Sequence, residues 1–328
     1  MQSVSNSTDR NNTVDLLRVI GLFLVISAHC EFPQWYFEFR EFDVVLLFFV
    51  SGMSFLLSSK GKDIKYADYV WKRIRKLIIP VWVFLTLFFP FFFLLGRHFS
   101  ASVILKSYLL VSGGILFIWV YRVFFSSALI NPLLQPFARD KIVKYMGFII
   151  IGVLLANDFL LKEIRLLAGN PISKGFEYLV TYTVSYAVLS FSGMVWARSD
   201  KRSRVVFTVL FFAVFLISGF LYRFPSFYEW KYPPTLYYCS YGLFMSGFLY
   251  LALDHFHISG RFEQVIEWIS RKTMTIYLWH IFIYYLLETS APHVLKSGFS
   301  SLIVMFGGGL LAACIQEKAM AKKRTAHV

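Results

Sequence analysis

Two side chains in the first apolar segment can do chemistry for which a lipid-facing helix has no use. Arg18 and His29 are eleven residues apart, and at 100° per residue that spacing returns to within about 20° of the same azimuth after three turns. One stripe of a helix thus carries a guanidinium and, roughly 16 Å further on, an imidazole. The guanidinium is a fixed cation suited to phosphate or carboxylate. The imidazole has a near-neutral pKa suited to taking a proton from a hydroxyl. Asp15, three residues before Arg18, is close enough to neutralise it, so the pair reads either as structural or as part of a site. His29 also reads as an interfacial histidine at a helix end. His280 closes Thr275-Ile276-Tyr277-Leu278-Trp279-His280 and is either a satisfied core histidine or a second site residue.

A further constellation is basic. Trp71-Lys72-Arg73-Ile74-Arg75-Lys76 stands shortly before Pro80. Arg73, Arg75 and Lys76 can each give a charge-assisted hydrogen bond to a polyphosphate. The same charges serve equally as a topology signal flanking a membrane span.

The elements that must position these groups follow from composition. Of 328 residues, 57% are hydrophobic, 20% aromatic and only 16% charged, with a mean hydropathy of +0.60. That excludes a water-soluble enzyme, a disordered chain and a collagen. A crossing needs about 20 mainly apolar residues, and ten such segments are legible: 15–31, 42–58, 77–95, 110–130, 142–160, 178–197, 205–222, 235–253, 273–290 and 298–316. Arg122, Asn131 and Pro132 blur the fourth, and Pro80 and Pro90 imply a kink or late start in the third. Lys and Arg are more than twice as frequent in the loops on one side as on the other, which places both termini in the cytoplasm. The expectation is an all-α polytopic membrane protein of about ten transmembrane helices. It forms a single domain over 1–328, with a polar N-terminus (1–14) and a basic tail (317–328).

The net charge of +14 is that of a positive-inside membrane protein, so no nucleic-acid partner is expected. Cys30, Cys239 and Cys314 have no metal or redox spacing, and no metal is expected. GxGxxG, P-loop, HExxH and nucleophile-elbow patterns are absent from the sequence, so the chemistry sits among the helices or at their mouths.

Together these residues resemble the acyltransferase-3 family of integral membrane acyltransferases. Asp15-Leu16-Leu17-Arg18 followed by His29 is similar to that family's opening helix, an arginine, ten residues, then a histidine. Phe48-Phe49-Val50-Ser51-Gly52 resembles its FF-x-SG stretch, Arg73-Ile74-Arg75-Lys76 its RxxR element with lysine in the last place, and Tyr277-Leu278-Trp279-His280 its YLWH element. The family's acidic residue before the FF pair is replaced by Leu46 and Leu47, with Asp43 a turn earlier.

The resemblance implies transfer of an acyl group, usually acetyl, from cytoplasmic acetyl-CoA to a carbohydrate of the O-antigen, capsule or exopolysaccharide type. The setting it implies is a bacterial inner membrane, with membrane lipid as the surrounding partner. On that reading Arg18 with Arg73, Arg75 and Lys76 holds the donor's phosphates, and His29 is the general base or, less favoured, an acyl carrier. Asp15 supports Arg18, while Ser51 and His280 are candidates to stabilise the oxyanion or orient His29. Trp35, Tyr36, Phe227, Tyr228, Trp230 and Tyr232 are an interface belt or a sugar-stacking surface. The alternative from another class is a glycan exporter whose path is lined by Arg18, Arg122, His29 and His280.

Overall fold

A computed structural model describes residues 11–59, 64–138, 145–166, 175–256 and 259–325. Residues 1–10 of the predicted N-terminus, the first three residues of the fifth predicted span and residues 326–328 of the predicted tail lie outside the described residues. The described chain is 84% helix, without strands. Among the described residues, six helical segments are long and apolar enough to cross a membrane: Gln34–Ser59, Tyr66–Leu94, Leu179–Arg198, Lys201–Tyr222, Leu236–Leu253 and Gly298–Lys322. The chain is an integral, multi-pass membrane protein.

Helix α1 (Asn12–Ser27) starts where the Asn11 side chain accepts the Val14 N–H at 3.1 Å, a polar N-cap. A short α2 (Gln34–Arg40) leads into α3 (Asp43–Ser59). Helix α4 (Tyr66–Arg73) runs through one wide turn, Ile74–Ile78, into α5 (Ile79–Leu94). Pro80 has no N–H for the carbonyl four residues back, and the helix widens at that point. The basic run of 71–76 is therefore helical and continuous with the span that follows. Lys and Arg are good helix formers, and nothing between Tyr66 and Ile79 breaks the helix.

Helix α6 (Ala101–Tyr108) is short, and α7 (Val120–Leu134) begins ten residues later than the predicted fourth span. Between them, residues 109–119 form an irregular segment with Leu110 and Leu116 at positive φ. Its backbone is satisfied from neighbours: the Ile115 N–H by Ser107 Oγ at 2.9 Å, the Leu116 N–H by Tyr285 Oη at 3.1 Å. Irregular backbone at membrane depth is tolerated where protein buries it, and Ile115, Ile118 and Trp119 are buried. Then come α8 (Met146–Leu166), α9 (Tyr182–Arg198, entered by a wide turn at Glu177–Thr181), α10 (Lys201–Tyr222), α11 (Phe227–Trp230) and α12 (Leu236–Leu253). Helix α13 (Gly260–Ser290) starts well before the predicted ninth span, because its first half is charged and escapes an apolarity test. The chain closes with α14 (Pro292–Leu295), α15 (Gly298–Leu302) and, after a wide turn, α16 (Gly308–Thr325), so most of the predicted tail is helix.

Helix α3 is the centre, packed against α1, α7, α9 and α12. It is apolar almost all round, as a buried helix should be. Where it crosses α9 only glycine fits: a Cβ on Gly52 would lie 1.6 Å from the Ser190 carbonyl oxygen, and one on Gly193 would lie 1.8 Å from that of Phe49. Small residues let the two backbones touch, the usual way membrane helices pack.

Candidate functional site

The ionisable residues of α1 face inward. On α1, Asp15, Arg18, Leu22, Val25 and His29 recur at steps of three and four, and all five line one cavity of about 1310 Å³. Leu47, Ser51, Ser54 and Ser58 of α3 form the facing stripe, and α7 contributes Val120, Phe124 and Asn131. Ser270, Met274 and Tyr277 of α13 complete the wall. Ionisable groups inside a bundle are tolerated only when turned to such an interior.

One end of the cavity is basic. The Arg18 guanidinium meets Asp15 Oδ1 at 3.3 Å and Ser270 Oγ at 2.5 Å, and also donates to Ser54 Oγ. Ser270 in turn donates to Asp15 at 2.6 Å. Asp15 thus orients Arg18 rather than merely cancelling its charge. Arg73 and Lys76 line the same end, and Lys76 is within electrostatic reach of both Arg73 and Arg18. Arg73 lies over the Tyr69 ring at 4.7 Å, a cation–π contact, and Tyr69 is anchored to the Ala128 carbonyl at 2.9 Å. Arg75 is exposed on the other side of the wide turn and is not among the cavity-lining residues.

His29 lies just past the end of α1, on the same cavity. Its ring stacks on His280 at 5.3 Å and 25°, and packs against Phe117 at 5.3 Å with Tyr284 at 6.2 Å. His280 is fully buried and does not line the cavity. Its Nδ1 is bonded to the Tyr277 carbonyl, which can only accept, so Nδ1 carries the proton. Contact between the two histidines is face to face, so His280 fixes the plane of His29 by packing. Ser51 faces the cavity but sits one turn from Ser54, hence nearer to Arg18 than to His29. Arg122 does not line the cavity.

At the His29 end lies a feature that the sequence reading did not single out. Arg40, Glu41, Asp43 and Lys231 are all buried, Asp43 to 1% exposure and Lys231 to 5%. Arg40 pairs with Asp43 at 2.6 Å and Glu41 at 3.3 Å, while Lys231 pairs with Glu41 at 2.5 Å and Asp43 at 3.6 Å. Burial opposes the Lys231 charge, but Asp43, Tyr232 and Glu41 outweigh it and hold the ammonium above the ordinary lysine range. Two cations and two anions cancel, so this end is polar yet neutral in this cluster. Charges this deep persist only when each is paired. Arg40, Glu41 and Asp43 stand together in the sequence, but Lys231 is some 190 positions away, and no local pattern could have joined it to them. Beyond the cluster, Gln34, Glu38, Ser226 and Tyr228 form the rim, with Glu38 accepting from Ser226 Oγ at 2.8 Å. Among the described residues there is no group of His, Cys, Asp and Glu able to hold a metal ion.

The FF-x-SG stretch divides its labour. Phe48 stacks on Phe124 at 4.1 Å, and Phe49 sets its edge to Trp196 at 5.4 Å. Ser51 faces the cavity and Gly52 admits α9. A family model described as an acyltransferase domain matches residues 11–315, nearly the whole chain. No curated protein and no solved structure matches.

Proposed function

The chain belongs to the acyltransferase-3 family, and from that premise we propose that it transfers an acetyl group from acetyl-CoA to a hydroxyl of a carbohydrate. The donor enters from the cytoplasm, with its phosphates at Arg18, Arg73 and Lys76 and its pantetheine arm along the α1 stripe. The acceptor meets it at the rim beyond His29, which faces the far side of a bacterial inner membrane. His29 takes the proton of the hydroxyl as its oxygen attacks the thioester carbonyl carbon. The carbon–sulfur bond then breaks, and the CoA thiolate leaves and is protonated by the imidazolium. Asp15 and His280 are positioning residues, acting through Arg18 and His29.

The observation that carries this reading is one continuous cavity with four basic side chains, Arg18, Arg73, Lys76 and Arg271, at one end and His29 towards the other. The test is mass spectrometry of surface glycans from cells with the gene, without it, and with His29→Ala. Loss of the acetyl increment in both the deletion and the variant, at unchanged protein level, is the expected result. Retained acetylation in the variant would overturn the role of His29. Unchanged glycan mass with an altered surface amount would overturn acyl transfer and favour export.

A further inference from the structure

Phe117 belongs to the irregular segment 109–119, not to a helix. Phe117 is 37% exposed, and it lines the cavity. An apolar ring exposed to an internal void beside an imidazole is not explained by burial. It is held there firmly: its carbonyl oxygen accepts from Tyr277 Oη at 3.1 Å, and the preceding Leu116 N–H is held by Tyr285 Oη at 3.1 Å. Leu116 has φ of 24°, a conformation that costs free energy for a branched residue and recurs where a chain aims a functional side chain. Two tyrosines of α13 thus hold Phe117 against His29.

We propose that Phe117 sets the length of acyl group the enzyme accepts. This rests on the reading that the donor thioester reaches His29. A hydroxyl bonded to the imidazole must lie about 3 Å from it, and the thioester carbon about 3–3.5 Å from that oxygen. The acyl chain beyond the carbonyl therefore lies within one side chain's reach of the ring that Phe117 packs against at 5.3 Å. On this reading the Phe117 ring bounds the space open to the chain, so that a methyl is accepted and each further methylene meets the ring. An apolar wall of this kind discriminates one methylene by about 10- to 200-fold.

The experiment uses permeabilised membranes from cells expressing the full chain, supplied with acetyl-, propionyl- or butyryl-CoA. Thiol release and the mass increment on the endogenous glycans are followed for wild type, Phe117→Ala and Phe117→Leu. The expected result is that wild type prefers acetyl, and that Phe117→Ala raises the butyryl-to-acetyl ratio of kcat/KM by about tenfold or more, with Phe117→Leu in between. An unchanged ratio in variants that still transfer acetyl would overturn the role of Phe117. Should Phe117→Ala fail to fold, Phe117→Leu alone decides by the same ratio. A wild type that transfers no acyl group from any of the three donors would overturn the donor reading itself, a separate result.

Discussion

Three basic side chains within four residues do not share one task. Arg73 and Lys76 line the cavity, whereas Arg75 does not. A charge-assisted hydrogen bond is worth about 1.5–3 kcal/mol. Arg73→Gln or Lys76→Gln is therefore expected to raise the KM for acetyl-CoA by about 10- to 100-fold. Arg75→Gln should leave it within about twofold, a rim charge screened by salt. Steady-state thiol release against acetyl-CoA concentration checks all three, and an equal effect of Arg75→Gln would overturn the assignment. The lysine in the last place of the basic element keeps its charge and its view of the cavity. What it loses is the planar fork.

Element packing is where sequence legibility had its clearest gain and its clearest limit. The stripe of Arg18 and His29 was readable because a regular helix fixes azimuth by counting, and α1 keeps that count almost to its end. The late start of α7 was not readable. Residues 103–137 are apolar enough for a span, and the backbone of 109–119 is satisfied by Ser107 and by Tyr285, far off in sequence. The extended start of α13 escaped for the opposite reason: it is helix without being apolar. Gly52 was legible as part of a motif, but its purpose depends on Ser190 of another helix. That purpose makes a prediction. Gly193→Ala must push α9 from α3 and is expected to cost about 1–3 kcal/mol, as overpacking does. Gly152→Ala, with nothing within 4 Å of its Cβ position, should be neutral or gain up to about 1 kcal/mol from helix propensity. Thermal inactivation in detergent, compared for the two variants, measures the difference.

The whole molecule is a bundle whose inner helices, the apolar α3 among them, surround a void. Helices α1 and α7, at 16 and 15 residues, span only about 24 Å and 22 Å, short of a hydrocarbon core near 30 Å. They are not among the six apolar crossing segments, yet they line the site. The site thus draws on short helices as well as on two of the crossing segments, Gln34–Ser59 and Tyr66–Leu94. If the two ends of the cavity open to opposite sides, cysteines placed at them should label from opposite sides. Ser226→Cys is expected to react with an impermeant maleimide in spheroplasts, and Ser58→Cys only after permeabilisation. Both serines are exposed and line the cavity, while Cys30 and Cys239 are buried. Labelling of both from one side would overturn the two-sided arrangement.

A passage between two compartments also threatens the voltage across the membrane that contains it. Between Arg18 and His29 the walls are mostly apolar, Leu22, Val25, Leu47, Val120 and Phe124, with Ser51 among them, and such apolar walls shed water. A broken file of water carries no protons from one side to the other. On the function proposed above, the stretch that takes the acyl arm would therefore also insulate, and transfer across the bilayer would not discharge it.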